Sequence, residues 1–409
     1  MGSAALFCMS VRYILHNAKI PGYKGLQQIA LDEHEVIVSI EPVHTHLSEI
    51  GCSRLDIAGD WISLGGLDLQ INGGLGLAFP DLTETQVDRL EAIATYLWQV
   101  GVDAFLPTLV TTSVDNVHRA LSTLAHYQPS GKQPTATVLG AHLEGPFLNP
   151  QKRGAHPEEY LQPLTVEQIK TLLGSYAPWV KMMTLAPELD PSGAAIAYLR
   201  ANQILVSLGH SLATAQEAQT AFEQGATMVT HAFNAMPPLH HREPGLLGAA
   251  VFAPGVWCGF IADGQHIDPL MLKWLLRASA PERLCLVSDA LAPLGLPDGI
   301  YPWDSRSIEV KQGTARLPDG TLSGTTLPLL DGVRNLVKWD ICSVEMAIAL
   351  ATETPRAALA LPGLGVGQSA RQLLRWHLAP ERTLTWQRLW SPQQSLWSQP
   401  VAVSIAEPM

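Results

Sequence analysis

The sequence has few charged residues and no excess of positive ones. Asp, Glu, Lys and Arg make up 15% of its 409 residues, against about 25% in an average globular chain. The 26 Lys and Arg residues are outnumbered by 37 Asp and Glu residues, which gives a formal net charge of −11 at pH 7. This balance argues against nucleic acid as a partner. The apolar content of 47% excludes a disordered chain.

Cysteine is also scarce. The chain has five cysteines, which are widely spaced and never arranged as CxxC: Cys8, Cys52, Cys258, Cys285 and Cys342. An odd number at such spacings indicates neither a disulfide framework nor a zinc site built on cysteine.

Long uninterrupted hydrophobic segments are missing too. One stretch, residues 246–262, has 17 residues without a charge, but Pro254 and three glycines interrupt it and Asp263 follows it. Two buried strands around a turn therefore explain it better than a membrane span. No targeting signal is visible, so the sequence predicts a cytoplasmic protein with no membrane partner.

One unit recurs along the middle of the chain: an amphipathic helical run, a short break, a β-rich apolar run and then a polar residue. Strands separated by helices form parallel sheets that are buried on both faces. Eight candidate strands favour a closed (β/α)8 TIM-type barrel over an open sheet. They are residues 62–70, 103–110, 137–144, 180–187, 204–210, 228–233, 256–263 and 283–289.

The two ends of the chain lack this unit. Short alternating runs at 12–20, 26–32 and 35–42 indicate strands, and the tail carries similar runs at 372–378 and 383–390. We therefore expect a small β-sandwich subdomain built from residues 1–62 and 363–409, with a catalytic barrel at 63–362 inserted between them.

Polar side chains follow the predicted strands. Active sites of this fold lie at the carboxyl ends of the strands, and those ends carry Gln70, Asn72, His142, Glu144, His210, His231, Asn234, Asp263, His266 and Asp289. A single histidine at the end of an apolar strand is more often a hydrogen-bonded core residue than a metal ligand. Two histidines and two carboxylates at four strand ends are better explained by a site.

A glutamate and two histidines supply three ligands to a divalent metal and leave a position open for water, as in catalytic zinc sites. Asp289 then remains as a general base. Its alternative interpretation is a turn cap, because it lies in the segment Ser288-Asp289-Ala290.

Seven segments in order resemble the N-acetylglucosamine-6-phosphate deacetylase family of the amidohydrolase superfamily. They are LDLQINGG (67–74), HLEGPFLNPQKRGAH (142–156), GHS (209–211), THAFNAMPPLHHREPGL (230–246), IADGQHID (261–268), LVSDA (286–290) and LSGTTL (322–327). The resemblance spans residues 61–359, fades over the first 60 residues and is poor beyond Gly367.

The resemblance implies a metal held by Glu144, His210 and His231, with Asp289 as general base and then acid. It assigns His156 to the acetyl carbonyl and gives five contacts to the sugar and its phosphate: Ala155, Asn234, Ala235, Arg242 and His266. It further implies a homodimer in which Arg242 reaches the neighbouring site. A guanidinium suits a phosphate because its planar fork binds two oxygens at once.

The first strand indicates how many metals bind. Superfamily members with two metals carry His-x-His there and a bridging lysine at the end of strand four. This chain has Gln70-Ile71-Asn72, and Lys181 begins strand four at the opposite end. One metal per subunit is therefore expected, zinc or alternatively ferrous iron. Gln70 and Asn72 are expected to occupy the position where two-metal members bind their second ion.

The predicted reaction is hydrolysis of N-acetylglucosamine 6-phosphate to glucosamine 6-phosphate and acetate. One alternative is a deaminase or cyclic-amide hydrolase of the same superfamily, which needs no phosphate clamp. Another is a non-catalytic assembly protein, which the complete ligand set argues against. The sequence does not distinguish the glucosamine substrate from its galactosamine epimer.

Overall fold

The computed structural model describes residues 11–46 and 52–390 of the chain. Cys8 and residues 391–409 of the predicted carboxyl-terminal region lie outside the described residues. The chain divides into two compact units, the larger being Gly66–Leu361 and the smaller drawn from residues 1–65 and 362–409. Every residue predicted for the site belongs to the larger unit.

Eight parallel strands form the centre of the larger unit. They are mostly buried, as expected for a sheet covered on both faces. The strands are β1 (Gly66–Ile71), β2 (Val102–Val110), β3 (Ala141–Glu144), β4 (Val180–Leu185), β5 (Leu205–Leu208), β6 (Met228–Val229), β7 (Trp257–Phe260) and β8 (Leu284–Leu286).

Consecutive strands pair in parallel from β1 to β8. The ring is completed where the chain beyond β8 meets β1. The backbone N–H of Asp289 donates to the backbone carbonyl of Gln70 at 2.9 Å, and the backbone N–H of Asn72 donates to the backbone carbonyl of Ala290 at 2.7 Å. The predicted (β/α)8 barrel is confirmed.

Most predicted strands are longer than the observed ones, and two of them are divided in the structure. The run at 62–70 contains two strands, Trp61–Leu64 of the smaller unit and β1 of the barrel. The run at 137–144 contains Thr137–Val138 and β3, and both pair with β2. Gly140 lies between them with φ +136°, a conformation that side chains rarely allow.

Nine α-helices lie in the described part of the larger unit, and several begin or end at residues with a clear physical role. Ser113 caps α2 by accepting from the Asn116 amide at 3.2 Å. Thr214 and Glu217 form a capping box on α5, which Gly225 ends at φ +112°. The helices are α1 (Val87–Gln99), α2 (Val114–His126), α3 (Val166–Leu173), α4 (Ala194–Ala201), α5 (Ala215–Gln224), α6 (Gly245–Phe252), α7 (Pro269–Ala278), α8 (Leu329–Lys338) and α9 (Val344–Ala358).

The interpretation of residues 246–262 as two strands was wrong. The first half is helix α6 and only the second half contains a strand, β7. A helix that is apolar all round shows no amphipathic period, so the pattern does not separate it from a buried strand. Leucine and alanine favour a helix there, and Pro254 lies two residues beyond its end. No helix among the described residues has the length and apolar character to cross a bilayer.

An antiparallel sheet that the sequence did not predict follows β8. We call it the insert sheet, and its strands are Gly299–Trp303, Arg306–Lys311, Thr314–Arg316 and Leu322–Thr325. Its buried face includes Trp303, Ile308, Val310 and Ala315, which pack with Ala155 and Leu291. A second small hairpin pairs Gly73–Gly74 with Leu77–Ala78.

The described residues of the smaller unit form two sheets. The first orders Ile37–Pro42, Gln27–Leu31, Tyr13–Ala18 and Ser53–Asp56 side by side, and the second orders Thr383–Arg388, Leu373–Ala379 and Trp61–Leu64. Leu373–Ala379 pairs with Trp61–Leu64, so segments from both ends of the sequence share a sheet. Trp376 is fully buried and its indole N–H donates to the Ser63 hydroxyl at 2.9 Å.

Candidate active site

Four buried ionisable side chains converge at the carboxyl ends of the barrel strands. Glu144 is the last residue of β3. His210 follows β5, His231 follows β6, and Asp289 follows β8. Strand ends of a closed barrel meet at one face, so residues far apart in sequence become neighbours.

Three of these residues adopt an uncommon backbone conformation. The φ angles of His210, His231 and Asp289 are +49°, +29° and +48°. Such conformations cost on the order of 1–3 kcal/mol each and cluster at functional sites. The surroundings hold them in place, as where the Asn149 amide donates to the His210 carbonyl at 2.9 Å. The strain lets the backbone turn sharply while each side chain enters the barrel mouth.

Glu144, His210 and His231 each bring one ligand atom to a common point. Glu144 Oε1 lies 3.2 Å from His210 Nε2 and 3.1 Å from His231 Nε2, and the two Nε2 atoms are 3.1 Å apart. Ligands held at about 2.0–2.1 Å by a tetrahedral zinc ion lie roughly 3.3 Å from one another. The spacing therefore fits one divalent metal.

The donor chemistry fits a metal as well. His210 Nδ1 lies 2.8 Å from the Lys152 carbonyl, which can only accept, so Nδ1 carries the proton. The lone pair of Nε2 then points at Glu144 and His231. A histidine ligand is usually fixed in this way through its other nitrogen. Burial raises the pKa of Glu144, but the two adjacent imidazoles, His210 and His231, outweigh it and lower that pKa well below its ordinary value.

Asp289 lies beside these three residues, and two side-chain amides donate hydrogen bonds to it. Its Oδ1 accepts from Asn72 Nδ2 at 2.7 Å and from Gln70 Nε2 at 3.2 Å. The same Gln70 amide donates to both Glu144 oxygens at 3.2 Å. Burial and the charge of Glu144 raise the pKa of Asp289. Gln70 thus spaces two carboxylates that would otherwise repel each other.

A cavity of about 290 Å³ opens above these side chains. Its size approaches that of ordinary small-molecule sites. Ten of the predicted site residues line it, namely Asn72, Glu144, Ala155, His156, His210, His231, Asn234, Ala235, His266 and Asp289. Gln70 is not among the lining residues and contacts the site through its amide. Arg242 is not among them either.

The predicted substrate carries a negatively charged phosphate, but the charged residues of the cavity wall are mostly acidic. No arginine or lysine is among its lining residues in the described part of the chain, which include the carboxylates Asp81 and Asp304. Arg242 lies in the exposed segment between β6 and α6, where its Nη1 is 3.0 Å from His241 Nε2. The structure therefore does not bring Arg242 to the cavity of its own chain.

His156 lies in the loop after β3. Its Nδ1 is 2.8 Å from the Thr111 hydroxyl, and its ring packs edge-on against His210 at 4.5 Å between centroids. Burial and the neighbouring His210 lower the pKa of His156 to about 3. The preceding residue is held by the insert sheet, because Arg306 Nη2 donates to the Ala155 carbonyl at 2.7 Å.

His266 is held by an acidic partner. Its Nδ1 lies 2.7 Å from Asp263 Oδ2, and both side chains are buried. The other Asp263 oxygen accepts from the backbone amides of Gln265 and His266 at 2.9 Å. Burial raises the pKa of Asp263, but hydrogen bonds from His266 and from the Gln265 backbone outweigh it and lower that pKa. The imidazole is therefore fixed with one side toward the cavity.

Sequence reasoning missed several lining residues. Thr111 follows β2, Tyr160 lies in the loop after β3, and Trp303, Asp304 and Ser323 come from the insert sheet. The segment LSGTTL carries part of this signal, because it includes Ser323. Nothing in the sequence pattern marks Thr111 or Arg306, since a threonine after a strand and a surface arginine are both common.

No protein-family model matches the chain. The N-acetylglucosamine-6-phosphate deacetylase of Rattus norvegicus is 40% identical over 314 residues, which cover 75% of this chain and 76% of the relative. The N-acetylgalactosamine-6-phosphate deacetylase of Escherichia coli O157:H7 is 34% identical over 340 residues, covering 82% and 87%. A crystal structure of N-acetylglucosamine-6-phosphate deacetylase from Pasteurella multocida matches with a TM-score of 0.78 at 27% identity, covering 92% of this chain and 99% of that chain.

Proposed function

The chain belongs to the N-acetylglucosamine-6-phosphate deacetylase family of amidohydrolases, and from that premise we propose that it hydrolyses the acetamide of N-acetylglucosamine 6-phosphate. The products are glucosamine 6-phosphate and acetate. The observation that carries the proposal is the placement of Asp289 beside the cluster of Glu144, His210 and His231 at the base of one cavity.

One divalent metal per subunit would be held by Glu144, His210 and His231. Zinc suits two imidazoles and a carboxylate, and ferrous iron is the alternative. When bound, the ion supplies a Lewis acid that makes water nucleophilic at neutral pH. The side-chain amide of Gln70 occupies the position where a second metal would bind. Its N–H groups donate to Glu144 and Asp289, and N–H groups cannot bind a cation.

The chain's own residues then move the proton and hold the substrate. Asp289 accepts the proton of the attacking water as the new carbon–oxygen bond forms, and returns it to nitrogen as the carbon–nitrogen bond breaks. His156 donates a hydrogen bond to the acetyl oxygen, where negative charge develops. Ala155, Asn234, Ala235 and His266 would contact the sugar and its phosphate, and their position in the cavity lining supports this assignment.

The phosphate needs a cation, and the described residues that line the cavity include no arginine or lysine. We propose that Arg242 of a second copy supplies it, in a homodimer with shared sites. Arg242 lies on an exposed arm that also carries Leu239, which is 38% exposed, and the helix that follows, α6, carries Phe252, which is 81% exposed. Leu239 and Pro244 lie over Gly248 of α6, so apolar side chains of the arm pack against this helix.

A substrate panel tests the function. N-acetylglucosamine 6-phosphate, its galactosamine epimer and both unphosphorylated sugars are incubated with protein of measured metal content, and acetate release is followed. We expect acetate from a phosphorylated sugar and much less from the unphosphorylated ones. Release that ignores the phosphate, or ammonia from a cyclic amide or nucleobase instead, favours the other superfamily activities. The two epimers are compared because relatives of both names match this chain.

Replacement of Arg242 tests the shared site. Charged hydrogen bonds contribute about 1.5–3 kcal/mol, so Arg242→Ala is expected to lower kcat/KM roughly ten- to 150-fold with the phosphorylated substrate. The loss should be small with the unphosphorylated sugar. Arg277→Ala on α7 is the matched control, because Arg277 is exposed and not among the residues that line the cavity.

Complementation separates a shared site from a self-contained one. Chains with Asp289→Asn and chains with Arg242→Ala are co-expressed to give mixed dimers. In a shared arrangement, one site of each mixed dimer combines an intact Asp289 with an intact Arg242, so activity exceeds that of either variant alone. A mixed dimer as inactive as its parents contradicts the exchange of Arg242.

A further inference from the structure

Thr111 joins the backbone beside Glu144 to the ring of His156. It follows the end of β2 and is 3% exposed. Its hydroxyl lies 3.1 Å from the Glu144 carbonyl and 2.8 Å from His156 Nδ1, and its single proton can be donated to either. Its backbone N–H also faces His156 Nδ1, at 3.3 Å. Two polar groups of one residue therefore meet the same ring nitrogen.

The space around this hydroxyl is shaped to hold it. Gly145 follows Glu144 with φ +83°, and a Cβ built there would collide with Thr111 Oγ1. A residue with a side chain at position 145 would thus displace the hydroxyl from His156. The absence of a side chain at Gly145 leaves room for the Thr111 hydroxyl, and that hydroxyl in turn positions the His156 ring.

The donors decide which nitrogen of His156 carries the proton. A backbone N–H can only donate, so its approach to Nδ1 requires a lone pair on that atom. The Thr111 hydroxyl rotates between the Glu144 carbonyl at 3.1 Å and Nδ1 at 2.8 Å. When it donates along the shorter contact, to Nδ1, it is the second donor to that lone pair. A neutral imidazole without a proton on Nδ1 carries it on Nε2.

We propose that Thr111 is a positioning residue that holds His156 as the Nε2–H tautomer, with Nε2–H presented to the acetyl oxygen of the substrate. The role given to Nε2–H toward the acetyl oxygen rests on the proposed deacetylation. In the opposite tautomer, Nε2 would present a lone pair to a developing negative charge and oppose the reaction. Thr111 thus determines whether His156 is a donor or an acceptor in the cavity.

Nitrogen NMR of the histidine rings tests the tautomer directly. Protein labelled with 15N-histidine is loaded with metal, and long-range proton–nitrogen correlations are recorded. The 14 histidines are separated by comparison with His156→Gln, in which one ring system is missing. We expect Nδ1 of His156 at the shift of an unprotonated nitrogen and Nε2 at that of a protonated one. A protonated Nδ1 overturns the proposal.

Variants of Thr111 test its role. Thr111→Val keeps the shape and the backbone N–H but removes the hydroxyl, so we expect kcat to fall about three- to tenfold with KM little changed. The Nδ1 resonance should also move toward the protonated value, because one of the two donors has been removed. Thr111→Ser restores the hydroxyl and should recover both kcat and the resonance. Wild-type kcat and an unmoved resonance in Thr111→Val overturn the positioning role.

Thr123→Val is the matched control. Thr123 is also buried, and its hydroxyl donates to the Arg119 carbonyl of its own helix at 2.9 Å, so its removal should leave the His156 resonances and kcat unchanged. Metal content is measured in every variant, since Thr111 also contacts the Glu144 carbonyl. If the wild-type protein deacetylates no amino-sugar phosphate, the proposed function fails, while the NMR experiment still decides the tautomer.

Discussion

Asp289→Asn is expected to lower kcat by about 10²- to 10⁴-fold, the usual contribution of a general acid–base group. The asparagine oxygen can still accept the hydrogen bonds that Asn72 and Gln70 give to Asp289 Oδ1 at 2.7 and 3.2 Å. The fold and the position of the side chain should therefore persist. Its other atom becomes an NH2 group, which donates a proton in a hydrogen bond but cannot take one from water. Steady-state acetate release at saturating substrate measures the loss.

Two measurements make this result specific. Metal content should stay at the wild-type level, since Asp289 is not one of the three clustered ligands. Asp331→Asn serves as the matched control, because Asp331 pairs with Arg334 at 3.1 Å and is not among the residues that line the cavity. Retention of more than about a tenth of wild-type activity in Asp289→Asn would contradict its assignment as the general base.

The barrel was predictable because its strands carry a strong signal. A parallel strand that is buried on both faces needs an unbroken apolar run, and eight such runs are separated by helical segments. The limits of the strands were less predictable. Gly65 and Gly140 lie inside apolar runs that the structure divides into separate strands, and apolar character alone does not show where pairing stops.

Helix α6 and the insert sheet escaped prediction for different reasons. In α6 nearly every residue is apolar, so no polar face marks a helical period. The insert sheet contains short strands of mixed polarity, such as Arg306–Lys311, whose apolar residues Ile308 and Val310 alternate with exposed polar ones. That alternation indicates a strand, but only the folded barrel shows that the sheet reaches the cavity.

The convergence of the site follows from barrel closure. Glu144, His210, His231 and Asp289 each end or follow a strand, and the fold places all such positions at one face. Arg242 has no such constraint, because it lies in a loop between β6 and α6. Thr111 was also beyond prediction, since its importance depends on the approach of His156, a residue 45 positions later in the sequence.

The three positive φ angles were not predictable either. Glycine is the usual residue in that conformation, yet His210, His231 and Asp289 adopt it. Their side chains carry the chemistry, so a glycine could not replace them. The cost is offset by contacts that involve distant strands, such as the bond from the Asp289 amide to the Gln70 carbonyl at 2.9 Å.

Removal of one clustered ligand is expected to abolish stoichiometric metal binding. His210→Ala or Glu144→Ala leaves two protein ligands, and two ligands hold a catalytic zinc ion poorly. Purified variants that are dialysed against metal-free buffer should retain far less than one metal per subunit by elemental analysis. His118→Ala is the matched control, because His118 lies on α2 and contacts the Thr171 carbonyl at 3.0 Å, outside the cluster.

Thermal unfolding provides a second readout that does not depend on activity. A metal that binds only the folded state stabilises it by mass action, so added zinc should raise the Tm of metal-free wild-type protein and of His118→Ala. The Tm of His210→Ala and Glu144→Ala should respond weakly, because the ligand geometry of 3.1–3.2 Å between the three atoms no longer exists. Wild-type metal content in either variant would show that the ion is held by other residues, and the proposed role of the cluster would be wrong.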